Sequence, residues 1–222
     1  MSVQLTEIIK IAHSRGIPVL VDEAHGAHFV AGPPFPTSAI AYGADVVVQS
    51  AHKTLPAMTM GSYLHVNSSL VDKEKLRFFV QVFQSSSPSY PIMASLDLAR
   101  SYVANVGLED IQRIQVQIEQ LKKEINESEG VTVVQSNDPL VTTDLLKITV
   151  QTRSGCSGYE LQQRLEQEGS FPELADPFNV LLVYPLAPVK DLPTIIEKMK
   201  RAFKGMHDDA RTMASVSYSF MN

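Results

Sequence analysis

The chain has 222 residues, 44% of them hydrophobic, and a formal net charge of −5. That length allows one or two domains with a sizeable core, and the acidic balance offers no basic field for nucleic acid or an anionic membrane. No apolar stretch approaches a membrane span, the first residues lack a signal-peptide pattern, and the single Cys156 excludes an intramolecular disulfide framework, so the expected location is cytoplasmic.

In chain order, Leu5, Ile8, Ile9 and Ile11-Ala12 recur at near-helical spacing and predict an opening helix that ends before Arg15-Gly16-Ile17-Pro18. Two short, β-branched apolar runs follow, Pro18-Val19-Leu20-Val21 and Asp45-Val46-Val47-Val48, and both read as buried strands. The first delivers Asp22-Glu23-Ala24-His25-Gly26-Ala27-His28; the second delivers Ser50-Ala51-His52-Lys53-Thr54. Residues 61–66 predict another strand, 72–83 a helix, 85–91 an exposed turn and 92–106 a further helix. After Gly107, Ile111, Ile114, Ile118, Leu121 and Ile125 share one face of a long amphipathic helix. Strands are expected at 131–134, 145–150 and 180–184, helices at 158–168 and 192–204, and the tail 211–222 has no clear pattern. Alternating helix and strand imply an α/β fold with a mainly parallel sheet.

Ligands of open α/β sheets bind beyond the carboxyl ends of the strands, where Asp22 and Lys53 fall. A lysine can form a Schiff base with a carbonyl, and a carboxylate can keep the pyridine nitrogen of pyridoxal phosphate protonated. The pair is therefore a candidate cofactor site. Asp-Glu-Ala-His is also a helicase signature, but a nucleotide hydrolase needs a Gly-rich phosphate loop, which this sequence lacks. His25 and His28 with Asp22 could bind zinc, although their spacing is weak evidence, and no metal is expected. Cys156 has no base nearby in sequence, and His13, His65 and His207 show no partner pattern, so all four read as structural or solvated.

Three stretches together resemble the Orn/Lys/Arg decarboxylases among the fold-type-I pyridoxal-phosphate enzymes: residues 19–29 around Asp22, Gln49-Ser50-Ala51-His52-Lys53-Thr54-Leu55, and Gln84-Ser85-Ser86-Ser87-Pro88-Ser89-Tyr90 running into Met93-Ala94-Ser95-Leu96-Asp97. The resemblance implies the second part of a cofactor domain over 1–106, a small α/β domain over 107–210 and a tail over 211–222. It makes Lys53 the residue that holds pyridoxal 5'-phosphate covalently and Asp22 the partner of its pyridine nitrogen. His25 is placed near the ring's phenolic oxygen or the substrate carboxylate, and Ser50 and His52 near the phosphate. Ser86 and Ser87, with Ser85, resemble a segment that reaches the phosphate in a neighbouring subunit, implying a homodimer. Glu173 and Asp176 are acids that could meet the distal cation of a basic substrate, although a solvated loop acid or a helix cap is their plainer reading.

The implied reaction is decarboxylation of arginine, lysine or ornithine to an amine that serves as a polyamine precursor. Met1 aligns well inside the family's cofactor domain, so the expectation is a fragment whose activity alone is impaired. Two other readings are a catalytically silent chain that serves as an interaction or assembly partner, and another fold-type-I enzyme such as an aminotransferase.

Overall fold

The structure is a computed structural model that describes residues 5–84, 86–136, 138, 141–153 and 155–207. The tail 211–222, expected to have no clear pattern, lies outside these residues. The chain divides into two compact units, one drawn from Met1–Ile111 with Asn137–Asp144 and the other from Gln112–Ser136 with Leu145–Asn222.

The first unit opens with helix α1 (Leu5–His13), which buries Ile9. Strand β1 (Leu20–Asp22) pairs in parallel with β2 (Val46–Gln49), and β2 pairs antiparallel with β3 (Tyr63–Val66). The connection from β2 to β3 contains only the one-turn helix α2 (Ala51–Thr54). That single turn is too short a helix to carry the chain across the sheet as a parallel crossover does, so β3 returns antiparallel and the sheet is mixed. Alternation sends Val21 and Val47 to one face, where Ile9, Ala39 and Ala44 form the core cluster with Val47 and Leu5, Val19 and Val21 pack against it. The other face carries Leu20, Asp22, Val46, Val48 and Leu64, of which Val46 is buried while Leu20 is 66% exposed.

Helix α3 (Lys73–Phe83) starts at Asp72, whose carboxylate accepts from the backbone N–H of Glu74 and Lys75 at 3.0 Å each. Helix α4 (Tyr90–Asn105) follows, with Pro91 in its first turn, where the missing N–H is harmless. The division between the units falls within helix α5 (Leu108–Asn126).

In the second unit the strands are β4 (Val131–Val133), β5 (Lys147–Thr152), β6 (Leu174–Ala175) and β7 (Asn179–Val183), in the order β4-β5-β7-β6 with every pairing antiparallel. Helices α6 (Gly158–Gln167) and α7 (Leu192–Phe203) complete it. Ile114, Ile118 and Ile125 of α5, Ile148 and Val150 of β5, Leu161 and Leu165 of α6 and Val180 of β7 are all buried, as a shared apolar core requires. Ser157 and Asp191 cap α6 and α7 by accepting from Glu160 and Thr194 N–H groups. No helix among the described residues is long and apolar enough to cross a membrane.

Candidate active site

The site begins where two parallel strands end side by side. Asp22 closes β1 opposite Val48, and the next residue, Glu23, donates its N–H to Val48 O at 2.9 Å. Ser50 then donates its N–H to Ala24 O at 3.1 Å, so the residues after β1 are stitched to the residues after β2. Ser50 stands at the N-cap of α2 without a side-chain capping bond, leaving its hydroxyl uncommitted among the described residues. Asp22 Oδ1 accepts from Ala24 N at 3.0 Å, which fixes the carboxylate while it remains exposed.

The turn of α2 carries Lys53 back toward the β1 loop. Lys53 Nζ lies 3.4 Å from His25 Nε2 on an exposed surface. An ammonium in that position donates, so His25 presents its Nε2 lone pair and carries its hydrogen on Nδ1. His52 Nδ1 sits 3.0 Å from Gly61 O and must donate to that carbonyl, so its Nε2 edge is the one left for a ligand. Ser86 and Ser87 are exposed in the segment between α3 and α4, and Ser85 lies outside the described residues. Glu173 and Asp176 belong to the second unit. Glu173 is exposed, while Asp176 Oδ1 accepts from Phe178 N at 2.8 Å and Asn179 N at 2.7 Å. Burial pushes the Asp176 carboxyl up, but the donors from Asn179 and Phe178 outweigh it and hold the group below its ordinary value. Asp176 is thus committed to its own turn.

On the opposite side of the strands lies a polar network that sequence reading missed. Glu23 accepts from Ser38 Oγ and Ala39 N, both at 2.7 Å, and from Gln49 Nε2 at 2.6 Å. Gln49 Nε2 also reaches Gly26 O at 3.3 Å, and its Oε1 is 3.0 Å from His65 Nε2. His65 was expected to be structural or solvated; it is a member of this network. Burial pushes its imidazole below the ordinary value, against the opposing pull of the Glu23 charge. His13 and His207 also have partners, Asp45 at 2.8 Å and Glu129 at 3.0 Å. The only signal for the network in the sequence was strand alternation: the neighbours of outward-facing Asp22 and Ser50 must point inward.

His28 is fully buried, 3.0 Å from Asp144 through Nε2, with edge-on ring contacts to Phe29 and Phe35. That burial commits it to packing and makes it unsuitable as a metal ligand alongside His25. Among the described residues no group of three or more His, Cys, Asp or Glu is placed to hold a metal ion.

The donor set at the strand ends is an amine, an adjacent imidazole and an outward carboxylate. These are the groups that an aldehyde-bearing pyridine with a phenolic oxygen requires, so the residues present fit pyridoxal phosphate. The fold agrees. Constitutive lysine decarboxylase of Escherichia coli superposes with a TM-score of 0.69 at 21% identity, over 89% of this chain and 34% of that one. The NifS-like protein of Rickettsia africae gives 0.66 at 14% identity, over 90% of this chain and 57% of that one. The architecture is that of the fold-type-I pyridoxal-phosphate enzymes.

The family model described as "Orn/Lys/Arg decarboxylase, major domain" matches residues 1–154, and the chain belongs to the Orn/Lys/Arg decarboxylase family. Its relatives include the uncharacterized protein YaaO of Bacillus subtilis (strain 168), 56% identical over 187 residues. Arginine decarboxylase of the same organism is 30% identical over 190 residues. Each match covers 83% of this chain and 39% of the relative, so the chain spans about two-fifths of the length of these proteins.

Proposed function

We propose that this chain carries the lysine-bearing part of a decarboxylase that acts on a basic amino acid, arginine, lysine or ornithine, and releases an amine of the kind that feeds polyamine synthesis. The observation that carries the reading is the approach of Lys53 Nζ to His25 Nε2 beside the end of the Asp22 strand. When bound, pyridoxal phosphate supplies the electron sink that lets the bond to a carboxylate break. The protein supplies attachment, orientation and charge. Lys53 provides the amine that attaches the aldehyde, and His25 Nε2 accepts a proton from that amine. Asp22 holds a proton at the pyridine nitrogen, and its link to Ala24 N keeps the carboxylate aimed. Ser50 and His52 bind the phosphate. The reading extends to a homodimer in which Ser86 and Ser87 serve the neighbouring subunit's phosphate, to Glu173 as a partner for the substrate's distal cation, to a division into cofactor domain (1–106) and small domain (107–210), and to a cytoplasmic setting.

The test is addition of pyridoxal phosphate to the purified chain, a visible absorbance spectrum, borohydride reduction and peptide mapping. The expected result is a single dominant adduct on Lys53 that is lost in Lys53→Ala and retained with an altered spectrum in Asp22→Asn. An adduct at the same peptide in Lys53→Ala, or label scattered over surface lysines of the wild type, refutes it. Screening amino acids for amine release, and keto acids separately for amino transfer, then separates the decarboxylase from an aminotransferase.

A further inference from the structure

Neighbouring residues of a strand point to opposite faces, so each outward site residue here is followed or preceded by an inward one. Glu23 follows Asp22, and Gln49 precedes Ser50. The inward set is joined across all the strands of the first sheet: Ser38 and Ala39 to Glu23 beside β1, Glu23 to Gln49 on β2, and Gln49 to His65 on β3. We infer that Glu23, Gln49 and His65 form a positioning strap beneath the active site, which fixes the loop carrying Asp22 and His25 against the turn carrying Lys53.

The polarity of the strap is defined link by link. Glu23 is acceptor only, so its two oxygens are met by a backbone N–H, a hydroxyl and an amide. The amide nitrogen of Gln49 must therefore face Glu23, and this places its oxygen toward His65. Neutral His65 then donates from Nε2, consistent with the burial that disfavours its charged form. The same Gln49 amide reaches Gly26 O, one residue beyond His25. Gly26 seals the arrangement, because a Cβ there would collide with Glu23 Cγ and come within 2.9 Å of Phe29 Cδ2. A side chain at position 26 therefore displaces the anchored Glu23. Gln49 is only 4% exposed, so water is a poor substitute for its partners. None of these groups touches the reacting atoms; they act through His25 and Lys53.

This inference rests on the reading of Lys53 as the cofactor lysine, and its test separates the two. The variants are Gln49→Leu, Glu23→Gln and Gly26→Ala. Each is the full chain, checked for a cooperative thermal transition. The first readout is the rate of borohydride-trapped labelling of Lys53 by pyridoxal phosphate, relative to the other lysines in the same digest. The second, taken without cofactor, is the set of histidine ring resonances in long-range 1H–15N spectra.

Single variants are expected to slow Lys53 labelling by about tenfold, as a small misplacement of an otherwise intact group does, and to move the His25 ring resonances. Folded single variants with unchanged labelling and unchanged His25 resonances overturn the strap. Should Glu23→Gln not fold, His65→Leu against His65→Gln replaces it, since the amide side chain can still donate to Gln49 and the leucine cannot; equal behaviour of the two overturns the strap. If wild-type Lys53 shows no preference over surface lysines, the cofactor reading fails, and the His25 resonances alone then decide the strap.

Discussion

Replacing Asp45 should loosen the sheet at the end opposite the site. The Asp45 side chain is 4% exposed and accepts from Val19 N at 2.7 Å, His13 Nε2 at 2.8 Å and Ser68 Oγ. Its backbone donates to Val19 O at 2.9 Å and accepts from Asn67 N at 3.1 Å. One residue thus ties the entry to β1, the start of β2 and the exit from β3. In Asp45→Ala the Val19 N–H loses its acceptor in a half-buried position, which costs about 1–3 kcal/mol. His13 and Ser68 can reach water, and losing them adds about 0.5 kcal/mol each. The expected loss is about 2–4 kcal/mol for alanine and about 1–2 kcal/mol for asparagine, which retains one acceptor oxygen.

Hydrogen exchange of the β2 amides at neutral pH measures this directly, because each 1.4 kcal/mol of lost protection is about tenfold in rate. Exchange accelerated less than about threefold in Asp45→Ala, or asparagine as damaging as alanine, refutes the reasoning. The acid limb gives a second check. Burial pushes the Asp45 carboxyl up, but Ser68, Val19 and His13 together bring it below its ordinary value. A folded-state value below the unfolded one means that the stabilisation is complete above the unfolded carboxylate range, near about pH 4, and is lost as pH falls through the folded value. Asp45→Asn should remove that part of the acid slope.

His65 has the same sign at higher pH: with its folded value pushed down by burial, stability is full above the unfolded value near about 6.5 and is lost as pH falls through the folded one. Urea titrations from pH 7 to 5 should show that fall in the wild type and a shallower one in His65→Gln; identical slopes would remove His65 as the cause. Cys156 should react slowly with disulfide reagents at pH 8, because burial and then the Glu160 charge push its thiol up while Arg164 opposes them. Glu160→Gln should speed the reaction, and an unchanged or slower rate contradicts this account. Gly158→Ala should destabilise the second unit by about 2 kcal/mol or more, since a Cβ there would strike the backbone oxygens of Asp176 and Asn179, which cannot swing aside like a flexible side chain. A melting temperature within a degree of wild type would show that the β6–β7 turn yields more easily than its hydrogen bonds suggest.

Much of this architecture was legible from short-range pattern. The runs ending at Asp22 and before Lys53 form adjacent strands, as short β-branched runs bounded by turn residues favour, but the burial expected of both holds only for most of β2: no residue of β1 is buried, and Leu20 is exposed. The stripe from Ile111 to Ile125 is buried throughout, as its helical spacing required. β6, two residues long, was not foreseen, because it is defined by its partner β7 and has no periodicity of its own. The antiparallel return of β3 follows a connection whose only helix is the single turn of α2, which strand propensity does not encode. The Glu23–Gln49–His65 network was missed for a different reason. Each residue looks ordinary in its own window, and only the registers of β1 on β2 and β2 on β3 bring them together.

The pairing of His28 with Asp144 joins residues 116 apart in the chain, both within the first unit. During synthesis at about 5–20 residues per second, His28 leaves the peptidyl transferase centre roughly 6–23 s before its partner exists. Over that interval a fully buried imidazole must either wait in water or sit in an unfinished core. The first unit therefore cannot reach its final form before Asp144 has been made. It closes only after β4, which belongs to the second unit, has been made. Ribosome arrest at successive lengths would locate this step as a rise in protease resistance of residues near His28 once Asp144 has cleared the exit tunnel.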